Sequence, residues 1–582
     1  MILKTKLSPF TSFITMQYRS LTTLMILGSL SWLAYLAVVL CAQSLHEQGS
    51  GKHSLLILLA LFAVTYGCYL AGLRIAIHVI QDHRLLMLIV AFALAFRATL
   101  LVSDPIEEID LYRYLWDGEA CASGVNPFRY TPQQVLAASA SDPLPADFAK
   151  LVSRRDRSPE TREVLSRVHY GELPTIYPPV SQVAFTVATL CTPHQSLIAT
   201  RMIGMKAIFV VCDLLTVALV YWLLKKTDRP IGWLLGYAWC PLLLKEVANS
   251  GHLDALAVLL TTAAACCALK SQEVLTNRRR AVRMAMGSAG LLALAVGAKL
   301  YPVILAPWLL FRFVRYFGWR TSILPAGVFC ILTAFVTFPM WPDRITVSTM
   351  PGTTGQADES VALLSGDAAP VPPPDVTTDP RDPSESLRAF LSQWEMNDFF
   401  FLLVIENLRP TRELPPDQLA WFSIVPASWR EWLLGTVSRR LTIDRSLLPF
   451  MLTRGFLTLV FLIMAARWAW PSNRTDQPDR WLEAGFLTLV WFWLLLPTVN
   501  PWYLTWCLPF LPFCCNRAWL LLPGLAFFYY FRFWLTQQFP SPMLGTSYPG
   551  AIFFDFVVTW IEFGPWLVWM AISNTQWHSK RD

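Results

Sequence analysis

Runs of about 18 to 20 apolar residues with few charges are the feature that most constrains this chain. Clear examples lie at residues 24–42, 55–72, 85–102, 205–224 and 321–340. A helix of about 20 residues is long enough to cross the hydrocarbon layer of a bilayer, which is about 30 Å thick. Because 54% of the residues are hydrophobic and only 15% are charged, such runs dominate the sequence. We predict an all-α polytopic membrane protein, since the alternating ten-residue strands of a membrane barrel are not seen.

Basic residues between these runs indicate the topology, because Lys and Arg concentrate in cytoplasmic loops. Lys4, Lys6 and Arg19 precede the first run, which places the amino terminus inside and predicts that this run is kept as a signal anchor. The later basic clusters fall inside if residues 177–191 lie against the outer face and do not cross. These clusters are Arg74 and Arg84, Lys225 to Arg229, Arg278 to Arg283, Arg312 to Arg320, Arg467 to Arg480, and Lys580 with Arg581.

This topology gives about fourteen spans, within a range of about 12 to 15, although the segments hinged at 299–302 and 500–501 have short halves. It divides the chain into five regions. They are 1–102 with the first three membrane helices, 103–200 as a large outer loop, 201–340 with the central membrane helices, 341–445 as a second outer loop, and 446–582 with the carboxy-terminal membrane helices.

The second outer loop mixes two kinds of sequence. The Pro/Gly/Asp-rich tract at 351–386 is predicted to be disordered, since it cannot bury enough apolar surface to offset its loss of entropy. Segments 386–408 and 427–440 are predicted to form amphipathic helices. These helices either lie on the membrane or pack against the outer ends of spans.

Short stretches that mix charged and apolar residues all fall on the outer side of this topology. They are EEIDLYRYLWDG (107–118), KEVANSGHLDALA (245–257), KLYP (299–302), QWEMND (393–398) and NPWYLTW (500–506). Burying an ionised side chain at bilayer depth costs about 2.5 to 3.5 kcal/mol, so such residues face a cavity or a partner. Their grouping predicts an aqueous or amphipathic pocket at the outer leaflet.

In the first of these stretches Asp110, Arg113, Tyr114 and Asp117 share one face of a helix, at i, i+3, i+4 and i+7. The spacing alone equally fits a surface helix with an intrahelical ion pair and Trp116 as an anchor at the membrane interface.

Several motifs together resemble the polyprenol-phosphate-mannose-dependent mannosyltransferases of the GT-C superfamily, in particular their bacterial multi-span group. The residues that carry the resemblance are Asp110 to Gly118, GVNPFRYTP (124–132), YPPVSQ (177–182), GHLDALA (251–257), KLYPVILAP (299–307), QWEMND and NPWYLTW. The chain departs from the family pattern at Ile109, where many relatives have a second acid, and at Phe128, where a Tyr is common. The 351–386 insertion has no counterpart that we can place.

The resemblance implies a GT-C-like helix bundle with outer juxtamembrane helices, and transfer of a hexose, mannose above all, from a polyprenyl phosphate to a hydroxyl group. Asp110 is then the general base of an inverting displacement, and Glu108 or Glu107 shares that role or replaces it. The expected ligands of the donor phosphate are Arg113, Arg129, Lys245 and Lys299. The expected sugar or acceptor ligands are His252, Asp254, Trp394, Glu395, Asn397, Trp502 and Tyr503.

Alternatives remain for several of these residues. Lys245 and Glu246 could pair with each other, Lys299 could extend to the membrane interface, and Trp502 could anchor there. His252 and Asp254 could bind a metal, but no third ligand is close in sequence, so no metal or other cofactor is expected.

The expected partners are membrane lipids, the polyprenyl-phosphate sugar, and a glycan or glycolipid acceptor, but no nucleic acid. The expected location is a bacterial inner membrane, with the site facing the periplasm or exterior. A lipid or solute transporter, or flippase, is the main competing function.

Overall fold

The computed structural model describes residues 9–48, 54–79, 81–139, 144–193, 196–341, 379–409, 419–441, 444–472, 476–543 and 545–578. Over these residues the chain is helical and has no strand, and one isolated parallel bridge joins Met396 and Thr498. Ten helices in this part of the chain are long and apolar enough to cross a membrane. The chain is therefore a polytopic α-helical membrane protein, as predicted. Residues 351–378 of the tract predicted to be disordered lie outside the described residues.

The first part of the chain contains three long helices, a group of short ones, and then further long helices. In order they are α1 (Pro9–Gln48), α2 (Ser54–Ala76), α3 (His83–Leu101), α4 (Asp110–Ala122), α5 (Pro132–Ala137), α6 (Ala146–Arg155), α7 (Pro159–Ser166), α8 (Pro179–Cys191), α9 (Ile198–Lys226), α10 (Leu234–Ala238), α11 (Pro241–Leu243), α12 (Asp254–Glu273), α13 (Arg278–Ala298), α14 (Ala306–Phe317) and α15 (Trp319–Thr337). Short 3-10 helices at Ile231–Trp233, Tyr301–Leu305 and Phe338–Met340, and a π-helix at Leu244–Asn249, lie between them.

The second part continues in the same way. Its α-helices are α16 (Glu385–Gln393), α17 (Phe399–Leu408), α18 (Ala427–Leu441), α19 (Leu448–Ser472), α20 (Pro478–Leu494), α21 (Pro501–Leu504), α22 (Leu522–Leu525), α23 (Phe528–Gln538), α24 (Gly550–Phe553) and α25 (Thr559–His578). The amphipathic helix predicted at 386–408 is thus two helices, separated by residues 394–398.

The ten candidate spans are fewer than the fourteen predicted, because several apolar segments are broken. The candidates are Arg19–Gln43, Ser54–Ala76, His83–Leu101, Ile198–Lys226, Asp254–Glu273, Arg278–Ala298, Trp319–Met340, Leu448–Trp470, Arg517–Gln538 and Gly550–Ser573. Residues 231–249 are divided among four short helices, and α14 has only 12 residues. Helix α8 has 13 residues and is about 20 Å long, which is too short to cross a layer of about 30 Å.

Local signals in the sequence account for several helix boundaries. Asp82 caps α3, where its side chain accepts hydrogen bonds from the backbone N–H groups of Arg84 and Leu85. Asn277 caps α13 in the same way. Gly318 lies in the turn between α14 and α15. Its φ of 76° is a left-handed conformation that a residue with a side chain rarely adopts.

Buried charges hold the bundle together below the long loop of residues 102–197, which connects α3 to α9. Arg97 Nε on α3 lies 2.5 Å from Asp213 Oδ2 on α9, and the Tyr237 hydroxyl donates to Asp213 Oδ1 at 2.7 Å. Arg97 also donates to the carbonyl of Ala238 at 2.8 Å. Removing one partner of such a pair costs about 3 to 5 kcal/mol, so these contacts fix the helices on which the site is built. We call the end of the bundle that carries this loop the loop face.

On the loop face α4 packs directly against α8 because Gly118 has no side chain. A Cβ at this position would lie 2.6 Å from the carbonyl oxygen of Phe185. Asp117, beside it, accepts hydrogen bonds from Thr175 at 2.5 Å and from Gln182 at 3.1 Å. The two helices are therefore joined both by close backbone approach and by a buried polar network.

Candidate functional site

The site begins where the chain enters α4. Glu107 has a left-handed backbone conformation, with φ 48°, which turns the chain before the helix. Glu108 Oε1 then accepts hydrogen bonds from the backbone N–H groups of Ile109 at 2.9 Å and Asp110 at 2.6 Å. The positive end of the helix dipole stabilises a carboxylate at this place. Glu108 therefore caps α4 and fixes the position of Asp110, the first residue of the helix.

His252 lies in the tight turn between the π-helix Leu244–Asn249 and α12. Gly251 has φ 71°, and a Cβ at Gly251 would lie 2.6 Å from Lys206 Cγ. The turn thus requires glycine both for its backbone conformation and for space. This requirement explains the glycine directly before His252.

The imidazole of His252 joins three segments that are distant in sequence. Its Nε2 atom lies 3.0 Å from Glu108 Oε2 and 3.3 Å from Glu246 Oε2, without the aligned geometry of a hydrogen bond to either. Its ring stacks on Trp502, with centroids 4.5 Å apart and planes at 15°. The side chain of His252 is only 1% exposed, so its environment is set by these groups.

Below His252 a buried network contains the first of the two predicted lysines. Lys245 Nζ donates to the Tyr530 hydroxyl at 2.5 Å, and this hydroxyl donates to Glu246 Oε1 at 2.6 Å. Lys245 Nζ also lies 3.4 Å from Glu246 Oε2. The ion pair between Lys245 and Glu246, which was the alternative to phosphate binding, is therefore present.

The second predicted lysine, Lys299, follows α13 and is nearer the surface, at 18% exposure. Its Nζ lies 2.8 and 2.7 Å from the two carboxylate oxygens of Asp254, and Trp506 Nε1 donates to Asp254 Oδ1 at 2.5 Å. The Lys299 ammonium also lies 4.5 Å from the ring centroid of Tyr503. The KLYP, GHLDALA and NPWYLTW stretches thus meet at this ammonium group.

Asp110 is the carboxylate of the site that forms no ion pair with a described residue. It is partly exposed and lies within hydrogen-bonding reach of the Tyr177 hydroxyl. Burial, together with the nearby Glu108 carboxylate, raises the pKa of Asp110 from 3.8 to about 6. Asp110 is therefore ionised at neutral pH, yet basic enough to accept a proton.

The pKa values of the two neighbouring groups, His252 and Glu108, are shifted in opposite directions. Burial favours the neutral form of His252, but the carboxylates of Glu108 and Glu246 outweigh it and raise its pKa to about 10. Burial likewise disfavours the charged form of Glu108. The attraction of the His252 imidazolium is stronger than this effect and lowers the pKa of the Glu108 carboxyl. The site thus holds a fixed imidazolium beside a carboxylate of intermediate basicity.

Glu108, Asp110 and His252 are also the residues that could hold a metal ion, since their ligand atoms lie within 4.8 Å of one another. The donor set of two carboxylates and one imidazole suits zinc or another divalent cation. Ligation requires a neutral imidazole, however, and the two carboxylates around His252 favour its protonated form. In the metal-free site a proton is shared between the Glu108 and His252 side chains, and a metal ion would have to displace it.

Two of the predicted phosphate ligands have other surroundings. The Arg113 guanidinium donates to the backbone carbonyls of Tyr170, Leu173 and Pro174, at 3.3, 2.7 and 3.3 Å, and so supports the loop before α8. The carbonyl of Arg129, in the loop after α4, accepts a hydrogen bond from the backbone N–H of Arg381 at 2.6 Å. The Arg113 guanidinium is thus occupied by carbonyls of this loop.

The QWEMND stretch forms a second polar group beside the first. Met396 exchanges backbone hydrogen bonds of 2.9 Å with the Pro497–Val499 segment, which leads into NPWYLTW. Asn397, with φ 55°, donates from Nδ2 to the Val499 carbonyl at 3.1 Å and to Glu562 Oε1 at 3.3 Å.

The other two predicted residues of this stretch have protein partners. Glu395 pairs with Arg409 at 3.1 Å, and Trp394 packs against Tyr170 with ring centroids 4.5 Å apart. Several buried polar atoms nearby have no hydrogen-bond partner among the described residues. They are Asn397 Oδ1, Asp398 Oδ2, Thr498 Oγ1, Asn500 Oδ1 and Glu562 Oε2.

Four residues of the site were not predicted from the sequence. Glu246 lies in the stretch KEVANSGHLDALA and Tyr177 in YPPVSQ. Their position within these stretches could have identified them as candidates. Trp506, at the end of NPWYLTW, is a similar case. Tyr530 gave no signal, because it lies in the aromatic run FFYYFRFW, which reads as part of a membrane helix.

Comparison of the chain with models of known protein families, with curated proteins and with solved structures finds no match. The family resemblance therefore rests on the sequence motifs alone.

Proposed function

We propose that the protein is a membrane glycosyltransferase with a GT-C-like fold, which moves a hexose, mannose in particular, from a polyprenyl-phosphate donor to a hydroxyl acceptor. One observation carries this proposal. The motifs that suggested the family lie hundreds of residues apart, yet Asp110, His252, Lys299 and Trp502 come together at the loop face. A chance set of weak motifs has no reason to converge in this way.

Asp110 is the proposed general base. The acceptor hydroxyl gives its proton to the Asp110 carboxylate while its oxygen attacks the anomeric carbon of the donor sugar. The bond from this carbon to the phosphate oxygen breaks at the same time, and the lipid phosphate leaves with the bonding electrons. Attack opposite the leaving group inverts the anomeric centre. A phosphate is a weak base, so no acid is required on the leaving side.

Two cations are available to stabilise the phosphate as its charge develops, namely the His252 imidazolium and the Lys299 ammonium. Lys299 is held by Asp254, and Trp502 and Tyr503 provide aromatic surfaces beside the two cations. Lys245 is buried below and acts on His252 through Glu246. We therefore assign donor binding chiefly to His252 and Lys299, and we regard Arg113 and Arg129 as supports of the surrounding loops.

The acceptor side is proposed to be the QWEMND stretch. The backbone hydrogen bonds of Met396 join this stretch to the Pro497–Val499 segment, which leads to Trp502. Trp394 and Glu395 of this stretch are partly exposed and are suited to stacking on and hydrogen bonding with a glycan or glycolipid acceptor. Trp394 lies at the edge of this group.

A lipid-linked donor has its tail in the membrane and its head at the surface, which is where this site lies relative to the spans. The positive-inside distribution of charge supports a loop face on the periplasmic or exterior side of a bacterial inner membrane. No metal or other cofactor is needed for the proposed reaction, because protein cations take its place.

The proposal is tested with the purified chain, a radiolabelled polyprenyl-phosphate mannose and a panel of acceptor glycolipids. Asp110→Asn should reduce transfer by at least about a hundredfold, as expected for loss of a general base. Glu163→Gln is the matched control, since Glu163 is an exposed carboxylate on the same loop, at 45% exposure. Undiminished transfer by the Asp110 variant would remove Asp110 from the mechanism.

Transport of a lipid-linked sugar is the second candidate. It is favoured by the broken helix at 231–249, which carries the buried Lys245 and Glu246, since discontinuous helices with charges are common in transporters. Sealed vesicles loaded with labelled donor separate the two functions. Movement of intact donor across the membrane, without formation of product in the presence of acceptors, supports transport and contradicts transfer.

A further inference from the structure

A recess of about 530 Å³ lies beside α8, apart from the cluster around Asp110. Its walls are the Gly124–Phe128 segment after α4, one face of α8 and Pro339 in the 3-10 helix Phe338–Met340 that follows α15. Prolines, valines and Phe128 provide most of these walls. The volume is within the range of about 300 to 1,000 Å³ that is usual for ligand sites.

The polar groups in the walls already have partners inside the protein. Gln182 donates to Asp117 at 3.1 Å, and Thr186 donates to the Gln182 carbonyl at 2.7 Å. Asn126 Oδ1 accepts the backbone N–H of Phe128 at 3.0 Å. The recess therefore offers apolar surface and few free hydrogen-bonding groups, which is the chemistry of a hydrocarbon site.

The recess opens towards the lipid. Val183, Val187 and Leu190 form a stripe on α8 at i, i+4 and i+7, and Val183 and Leu190 are 63% and 68% exposed. Phe335 and Phe338, at the same end of the spanning segment Trp319–Met340, are more than 70% exposed, so they face lipid. A chain that lies in the membrane can reach the recess without crossing water.

The recess is also close to the proposed reaction site. Tyr177, which lies within reach of Asp110, is followed two residues later by Pro179 in the wall of the recess. Two residues span at most about 7 Å. A Cβ at Gly297 would lie 2.6 Å from Val180 Cγ2, so α8 is pressed against α13 and keeps this position.

We propose that this recess binds the isoprenoid chain of the lipid-linked donor, in the first units after the phosphate. The chain leaves the phosphate at His252 and Lys299, passes Tyr177 and enters the recess beside Pro179 and Val183. This inference rests on the proposed function. It adds that the protein selects its donor by the hydrocarbon chain as well as by the sugar.

The test compares two donors with the same sugar phosphate, one on a decaprenyl chain and one on a short citronellyl chain. Val183→Trp fills the recess and should raise the KM for the decaprenyl donor about tenfold or more, since burial of several methylene groups is lost. The KM for the citronellyl donor should change less than about twofold. Leu190→Trp is the matched control, because Leu190 is on the same exposed stripe but outside the recess.

A second measurement does not depend on catalysis. A photoreactive decaprenyl phosphate without sugar should label peptides from 121–128 and 179–187 in the wild type, and this labelling should be lost in Val183→Trp. If the wild type transfers no sugar but is labelled there, the proposed function fails and the chain site stands. If sugar is transferred and these peptides are not labelled, the chain site is wrong.

Other occupants give different results. An equal effect of Val183→Trp on both donors, or none on either, overturns the proposal and leaves a surrounding phospholipid as the occupant. A higher KM for a glycolipid acceptor, with the donor KM unchanged, also overturns it and assigns the recess to the acceptor lipid.

Discussion

The pH dependence of transfer should change in a defined way when Glu108 is replaced by glutamine. The Gln side-chain oxygen can accept the same backbone hydrogen bonds, so α4 keeps its cap. The negative charge beside both Asp110 and His252 is lost. The substitution therefore isolates the electrostatic contribution of this carboxylate.

In the wild type Asp110 has a pKa of about 6 and His252 a pKa of about 10. Transfer needs Asp110 ionised and His252 protonated, so the rate should fall below pH 6 and above pH 10. Glu108 raises both values, by repulsion for Asp110 and by attraction for His252. Both limbs of the profile should therefore move to lower pH in Glu108→Gln.

The size of the shift on the acid side can be bounded. Burial is the larger cause of the raised pKa of Asp110 and remains, so the new midpoint should lie between 3.8 and about 6. With a midpoint of 6 about one Asp110 in eleven is ionised at pH 5, whereas with a midpoint of about 5 it is about one half. The rate at pH 5 relative to pH 8 should then increase about fivefold.

The assay is the initial rate of transfer from labelled donor over pH 4.5 to 10.5, at donor concentrations well below KM. Glu107→Gln is the matched control, because Glu107 is adjacent in sequence but is not among the groups that chiefly set the pKa of Asp110 or His252. Its limbs should stay at the wild-type values. The reasoning is refuted if the acid limb of Glu108→Gln stays or rises, or if Glu107→Gln shifts it equally.

Three other outcomes are expected. The folded chain holds the Asp110 proton more tightly than the unfolded chain, so the free energy of unfolding should fall as pH rises from about 4 to about 6. At pH 8 Asp110→Asn should therefore be more stable than the wild type by up to about 3 kcal/mol in thermal unfolding. A less stable variant contradicts this. Chelation of divalent cations should leave transfer unchanged, since His252 carries a proton between two carboxylates; loss of activity that Mn²⁺ or Mg²⁺ restores would assign Glu108, Asp110 and His252 to a metal. Lys299→Gln should lower kcat/KM for the donor about tenfold to a hundredfold, while Lys299→Arg, which keeps the charge, should lose less; equal losses would argue that Lys299 only supports the fold.

The apolar runs predicted the fold class because the bilayer imposes a length on each spanning helix. They predicted about fourteen spans, whereas ten helices of the described residues are long and apolar enough to cross a membrane, and residues 231–249 are divided among four short helices. Part of this break is marked by Pro241, which begins a new short helix within the segment. The motifs that carry the family resemblance singled out Asp110, His252 and Lys299, and the structure places His252 and Lys299 close enough to influence the charge of Asp110.

The sequence indicated which residues could belong to the site better than it indicated which groups their side chains contact in the folded chain. Arg113 was chosen for its charge, but its guanidinium is used by three backbone carbonyls that become neighbours only in the folded loop. Tyr530 lies 284 positions from Glu246 and contributes its hydroxyl through tertiary packing alone. Sequence shows which groups can take part in chemistry, and folding decides which of them are already occupied.

The close contact of α4 and α8 at Gly118 has a consequence for the membranes in which the chain can work. Bilayers differ in thickness, and spanning helices adapt mainly by tilting. Because α4 and α8 meet backbone to backbone, Asp110 at the start of one and Tyr177 just before the other move as a rigid pair when the spans tilt. Thinning or thickening of the lipid should change the depth of this pair in the membrane but not the distance between Asp110 and Tyr177. The composition of the host membrane should therefore have little effect on this distance.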